Sequence, residues 1–213
     1  MTPVETLILV LYFFVLSILA IYGWHRYYLV YLYTKHKDQA PVAPSELAVL
    51  PRVTVQLPIY NEMYVADRLI DAVCELDYPA DLLEIQVLDD STDETTSIAA
   101  LAVRRHALRG ADIRYMHRVD RTGYKAGALE AGLAEATGEF VAIFDADFIP
   151  PKDFLRRTLP YFGTDSRIGM VQARWGHINQ DYSLLTKIQS ILLDAHFVLE
   201  HGARNRSGCF FNF

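Results

Sequence analysis

The sequence predicts an α/β fold: a mostly parallel sheet with flanking helices, preceded by one N-terminal transmembrane helix. Three observations predict it. From Val53 onward, strand-like apolar runs alternate with helical periodicities, the pattern of βαβ units. The run Phe140-Val-Ala-Ile-Phe144 is continuous and apolar, as in a strand buried on both faces of a parallel sheet, and it leads into Asp145-Ala-Asp147. Leu7 to Trp24 is eighteen residues without a charge, a length that crosses a bilayer as a helix.

The apolar character of that first segment continues through Tyr33. A signal peptide fits it poorly, because Glu5 rather than a basic region precedes it and no small-x-small site follows. His25, Arg26, Lys35, His36 and Lys37 flank its far end among Tyr and Trp residues. Basic residues stay on the cytoplasmic side and aromatics mark the interface. The expectation is therefore an integral membrane protein with its N-terminus outside and everything after Lys35 in the cytoplasm. Residues 1–36 read as the anchor, 37–51 as a linker with three prolines, and 52–213 as the α/β domain.

Within that domain Val53 to Leu57 reads as a strand closed by Pro58 and the turn Tyr60-Asn61-Glu62. Tyr64 to Leu76 has helical periodicity and stops at Tyr78-Pro79. Leu83 to Leu88 is the next strand, ending in Asp89-Asp90-Ser91-Thr92-Asp93. A helix from Glu94 to Leu108 follows, capped by Thr92 or Asp93. Ile113 to Met116 is a third strand, and Arg121-Thr-Gly123-Tyr-Lys125-Ala-Gly127 opens a helix to Ala136. Phe140 to Phe144 is the fourth strand, after which Pro150-Pro151 open a helix. Asp153 to Phe162 reads as helical and Gly169 to Trp175 as a strand. Leu184, Leu185, Ile188, Ile191, Leu192, Ala195 and Leu199 recur at helical spacing; core packing is the favoured reading of that stripe, a membrane surface the other. Cys209 to Phe213 reads as a further strand.

The chain of 213 residues has room for a real core, and the excess behind its 52% hydrophobic content lies at the N-terminus. A net charge of −6 leaves no electrostatic footprint for a nucleic acid. Cys74 and Cys209 have no metal-ligand spacing and read as reduced, structural thiols.

Ligands of open α/β sheets bind beyond the carboxyl ends of the strands. Three strand ends carry polar groups there: Tyr60-Asn61-Glu62, Asp89-Asp90-Ser91, and Asp145-x-Asp147. Residues i and i+2 share a face, so Asp145 and Asp147 can meet one hard cation that phosphate oxygens also hold. Base N–H groups and ribose hydroxyls donate to carboxylates. Lys125, between Gly123 and Gly127 at a helix N-terminus, suits a diphosphate. An Asp-x-Asp phosphatase would instead carry its pair at the end of the first strand.

Five stretches together resemble family 2 glycosyltransferases: Gln56 to Glu62, Gln86 to Asp93, Gly123 to Leu129, Val141 to Phe148 and Val171 to Trp175. Within that family the likeness is to the membrane-bound cellulose synthase and mannan (glucomannan) synthase group. The resemblance implies a GT-A fold, a nucleotide-diphospho-sugar donor (UDP-glucose or GDP-mannose) and inversion at the anomeric carbon. It implies Tyr60 and Glu62 at the nucleoside, Asp90 at the base and Lys125 at the diphosphate. Asp145 and Asp147 would hold Mn²⁺ or Mg²⁺, Gln172 to Trp175 would lie beside the sugar, and Phe210 to Phe213 would begin the acceptor side. The acceptor would be a growing β-glycan or a lipid-linked acceptor at the membrane.

Members of that group continue past this point to a base aspartate, a Gln-x-x-Arg-Trp motif and further membrane helices. The expectation is therefore a chain cut short after its donor-binding half, with the general base beyond Phe213. The alternative reading is a remnant that binds a nucleotide sugar and transfers nothing.

Overall fold

The computed structural model describes residues 2–39 and 44–209. The chain forms two compact units, one of Ala43–Val171 and one of Met1–Val42 with Gln172–Phe213.

The first unit is built on a parallel sheet of β1 (Val53–Ile59), β2 (Leu83–Asp89), β3 (Asp112–His117) and β4 (Phe140–Ile143) in the order β3-β2-β1-β4. Helices α2 (Ala66–Cys74), α3 (Thr95–Ala107) and α4 (Tyr124–Glu135) make the crossovers, as parallel pairing requires. Strand alternation separates two faces. On one, Val53, Val55, Leu57, Ile85 and Val87 join Leu69, Ile70 and Val73 of α2 and Ala99, Ala102 and Val103 of α3 in the apolar core. Burying each Leu, Ile or Val there stabilises by about 1.5–3 kcal/mol. On the other, the cross-strand pairs Thr54–Glu84 and Gln56–Gln86 lie buried and hydrogen-bonded, at 2.7 and 3.0 Å. Helix α4 packs on β1 and β2, and its Gly132 stands against the two glutamines.

Several boundaries differ from the sequence reading. Pro58 does not close β1, which runs on to Ile59. Gln56 accepts from Phe144 on the β4 side, so Pro58 also turns toward β4, where the ladder has ended and no donor is needed. β4 is not buried on both faces: Val141 is 39% and Ile143 48% exposed, as suits the edge strand of this sheet. Helix α2 is shorter than Tyr64 to Leu76, and α3 has Glu94 at its N-cap, with the Asp93 carboxylate accepting from the Thr95 N–H at 3.0 Å. The prolines at 150–151 do not themselves open a helix, since α5 (Phe154–Thr158) begins after Asp153. The predicted helix to Phe162 splits there into α5 and a 3₁₀ segment, Leu159–Gly163, because Pro160 cannot donate to the preceding turn. The predicted strand at Gly169 to Trp175 is irregular, with no ladder partner among the described residues, and the division between units falls inside it.

In the second unit α1 (Pro3–His36) spans about 50 Å at 1.5 Å per residue, enough to cross a bilayer's apolar core. Thr2 and Glu5 form a capping box at its start. Its first part is exposed throughout, whereas Leu29 and Leu32 near its end are buried. That end is tied to α7 (Gly202–Arg206) and the π-helical turn His196–His201. His25 accepts from Arg204 at 2.8 Å, Arg26 pairs with Glu200 at 3.2 Å, and Arg206 donates to the Lys37 carbonyl at 3.0 Å. The stripe on α6 (Leu184–Ala195) is not core: Leu184, Leu185, Ile188, Ile191 and Leu192 are all exposed. Asp194, also on α6, takes Arg174 and His177 instead. Both cysteines are free thiols, and burial, reinforced by Asp71, pushes Cys74 up to about 12. The expected strand at Phe210 to Phe213 lies outside the described residues, as does part of the linker, 40–43.

Candidate functional site

In the order β3-β2-β1-β4 the chain leaves β1 toward β2 and returns on its other side as β4, so the sheet has a switch point between β1 and β4. A cleft of about 340 Å³ opens there. The end of β1 gives it Tyr60 and Glu62, the end of β2 gives Asp90, the entry to α4 gives Arg121 and Lys125, and the turn after β4 gives Asp145 and Asp147. Tyr60, Glu62, Asp90, Lys125, Asp145 and Asp147, all singled out in the sequence, thus line one cavity, whereas Asn61, Asp89 and Ser91 do not.

The loops around it are stitched together. Asn61 adopts a left-handed φ of 53°, which an Asn tolerates. Its N–H donates to the Ser91 hydroxyl at 2.9 Å, and its side-chain oxygen accepts from the Thr92 N–H at 2.9 Å. The Asn of the first motif therefore joins the β1 and β2 loops. The Asp90 N–H continues the ladder to the Ile59 carbonyl at 3.0 Å.

Below them Asp89 is fully buried and accepts from the Ser91 N–H at 2.9 Å and the Tyr115 hydroxyl at 2.5 Å. Burial and that bond to Asp89 push the Tyr115 hydroxyl well above its usual range. Asp89 is a support of the loop and does not line the cleft.

Asp90 is 5% exposed and gripped by Arg118, a residue the sequence reading passed over. Nε and Nη2 of Arg118 donate to its two oxygens at 2.8 and 2.6 Å, and Nη2 also donates to the Tyr124 carbonyl at 3.1 Å. The hydrogen bonds to Asp90 hold the guanidinium above its ordinary range. Arg121, also overlooked, lies over the Tyr60 ring with its guanidinium carbon 3.3 Å from the centroid and its Nε 4.0 Å from Asp90. The signal that could have found both is the basic pair flanking Asp120 at a strand end, opposite an acidic strand end.

Helix α4 starts from Gly123 at φ 76° and Tyr124 at φ 52°. An aromatic residue there costs of order 1–3 kcal/mol, a strain that concentrates at functional sites. A Cβ on Gly127 would stand 2.2 Å from the Thr122 carbonyl, so only glycine permits this entry. No side chain caps the helix, and Lys125 and Ala128 near its start line the cleft.

Asp145 and Asp147 lie in the turn beyond β4, not on the strand itself. The alternation nonetheless persists, with Phe144 and Ala146 buried, Asp145 half-buried and Asp147 exposed. Phe144 anchors the turn edge-on against Phe154, 4.9 Å away. Lys125 pairs directly with Asp145. Among the described residues no group of three His, Cys, Asp or Glu side chains could hold a metal by itself. Two carboxylates beside an uncapped helix start suit a hard cation whose remaining ligands would be phosphate oxygens and water. The donor set fits Mn²⁺ or Mg²⁺.

Residues 54–207 match the family described as Glycosyl transferase family 2. The chain is 46% identical over 167 residues to a glucomannan 4-beta-mannosyltransferase of Arabidopsis thaliana, covering 76% of this chain and 31% of that protein. It is 44% identical over 182 residues to another of Oryza sativa subsp. japonica, covering 83% and 35%. The chain thus spans about a third of the length of these curated relatives. Among solved structures, a mannosyltransferase of Pyrobaculum calidifontis in complex with GDP-Man and Mn²⁺ superposes with a TM-score of 0.56 at 35% identity, over 68% of this chain and 42% of that one. The parallel sheet with its flanking helices is accordingly a GT-A-like fold, and the chain belongs to glycosyl transferase family 2.

Proposed function

We propose that the cleft at the β1/β4 switch point binds a nucleotide-diphospho-sugar with a divalent cation, and that the protein moves a hexose from it to a β-glycan or lipid-linked acceptor at a membrane. The observation that carries this reading is the convergence of Asp145, Asp147 and Lys125 with Tyr60, Glu62 and Asp90 in one cleft. GDP-mannose is the preferred donor over UDP-glucose, because the relatives above are named as mannosyltransferases and one was solved with GDP-Man.

In this reading Tyr60 offers a face to the base, while Glu62 and Asp90 accept from its N–H groups or from ribose hydroxyls. Asp145 and Asp147 would hold the cation, which when bound supplies positive charge to a departing diphosphate. Lys125 and the α4 N-terminus add positive charge in the same cleft. A carboxylate would take the acceptor's proton. Helix α1 would anchor the protein, with the α/β unit in the cytoplasm because the basic residues gather at the helix's far end.

The test is a titration of residues 1–213 in detergent with GDP-mannose and UDP-glucose, with Mn²⁺ and with chelator, beside a radiolabelled transfer assay. GDP-mannose binding should need the cation and fall at least tenfold in Asp147→Ala. Binding indifferent to chelator and to Asp147→Ala would overturn the site. Tight donor binding without transfer would favour the remnant reading over the enzyme.

A further inference from the structure

Lys125 pairs with Asp145 in the cleft, yet both side chains remain open to solvent, 53% and 39% exposed. Such a pair contributes little to folding. It does affect what else can bind. One of the two carboxylates that would receive a cation already carries a positive partner on Oδ1, and a divalent ion approaching that oxygen meets like charge at contact range. Asp147 offers the one other carboxylate of the pair, and no third ligating side chain stands by among the described residues. Beside Lys125 lies the uncapped start of α4, where a phosphate would be held and would offer the ammonium another partner.

We propose that Lys125 is a placeholder for the cation: it neutralises Asp145 until a diphosphate arrives, then transfers to the phosphate oxygens and frees Asp145 for the metal. This rests on the donor-binding reading above and adds a coupling to it. Metal alone binds weakly because Lys125 opposes it. Nucleotide alone binds weakly because its diphosphate faces Asp147, and Asp145 once Lys125 leaves. Together each removes the other's obstacle. Linkage then requires that GDP raise the affinity for Mn²⁺ by the same factor that Mn²⁺ raises the affinity for GDP. Free cation would not occupy the site without donor, so the cleft stays primed for the loaded nucleotide.

The experiment measures Mn²⁺ binding to residues 1–213 in detergent by the paramagnetic signal of the free ion, without and with GDP. In the wild type GDP should tighten Mn²⁺ binding at least tenfold. In Lys125→Met, Mn²⁺ alone should bind at least threefold tighter than to wild type, while the coupling to GDP falls below threefold. Lys125→Arg keeps the charge and should hold Mn²⁺ alone as weakly as wild type, which separates a charge effect from a change in folding. Unchanged or weaker Mn²⁺ binding by Lys125→Met, with GDP binding still cation-dependent and lost in Asp147→Ala, would sink the placeholder and leave the donor site standing. Absence of any Mn²⁺-dependent GDP binding in the wild type would overturn both.

Discussion

Arg118 holds both oxygens of Asp90, at 2.8 and 2.6 Å, so the most buried carboxylate of the cleft is fixed before any ligand arrives. The guanidinium comes from the residue after β3 and the carboxylate from the residue after β2, strands that are neighbours in the sheet. A bidentate fork fixes direction as well as charge. Each carboxylate oxygen retains a second acceptor site, so Asp90 can still receive a base N–H.

Replacing the fork by a point charge tests this. Arg118→Lys should keep the charge and lose the two-point hold. GDP affinity should drop about fivefold or more, while Mn²⁺ binding measured without nucleotide stays as in the wild type. Equal losses in both titrations would mean that the substitution disturbs the whole cleft and that Arg118 has no specific hold on the nucleoside side.

Tyr60 makes a separable prediction. Its ring lies at the cleft with the Arg121 guanidinium over it, 3.3 Å from the centroid, so a base stacking on that face would take the guanidinium's place. Stacking of a base on an aromatic ring contributes about 1–3 kcal/mol. Tyr60→Ala should therefore weaken GDP binding by roughly fivefold to a hundredfold, and Tyr60→Phe, which keeps the face and loses the hydroxyl, should stay close to wild type. A Tyr60→Phe variant as weak as Tyr60→Ala would assign the role to the hydroxyl.

How much of this was legible in the sequence depends on whether a feature is local or arises from closure of the chain. The strand-helix alternation was legible, since buried parallel strands are short apolar runs and the helices between them are periodic. The gathering of Tyr60, Asp90 and Asp145 at one edge followed from parallel strands alone. Arg118 and Arg121 were legible only as a basic pair at a strand end, because Asp90 and Tyr60, which they meet, lie in other loops far away in the chain. Gly169 to Trp175 has strand-like composition but no described neighbour to pair with, and composition does not supply one. The row Thr54, Gln56, Glu84 and Gln86 is polar in a period-two pattern, which ordinarily marks a solvated face. Here α4 and the 137–138 turn cover it, and the glycines at 132 and 138 are the trace of that approach.

Gly132 gives a stability prediction on this account. A Cβ there would stand 2.7 Å from Gln56 Nε2, 2.8 Å from Gln86 Oε1 and 2.9 Å from Leu88 Cδ2. Overpacking costs about 1–3 kcal/mol, and parting the buried amide pair adds about as much. The gain of about 1 kcal/mol from Ala in a helix does not offset that. Gly132→Ala should lower stability to denaturant by about 2 kcal/mol or more. A stabilised variant would show that α4 has slack over the sheet.

Glu84 links the same polar row to pH. Its side chain has no exposed surface, and Oε2 accepts from the Thr54 hydroxyl at 2.7 Å and from the Thr137 N–H and hydroxyl at 2.8 Å each. Burial pushes the carboxyl up. The bonds from the Thr137 backbone, Thr54 and the Thr137 hydroxyl, with Arg114 at 3.9 Å, outweigh it and leave the group below its ordinary 4.5. The folded group therefore ionises at lower pH than the unfolded one. Between those two values the unfolded chain binds more protons, so stability rises with pH through that window. The contribution is complete above about pH 4.5 and is lost as pH falls through the folded value. Glu84→Gln keeps the shape without the charge and should cost about 1–3 kcal/mol at pH 7. Denaturant curves of the two proteins should then converge as the pH is taken from 7 to 3. A gap of constant size across that range would show that Glu84 acts through shape alone and that its carboxylate is not held in the charged form by the fold.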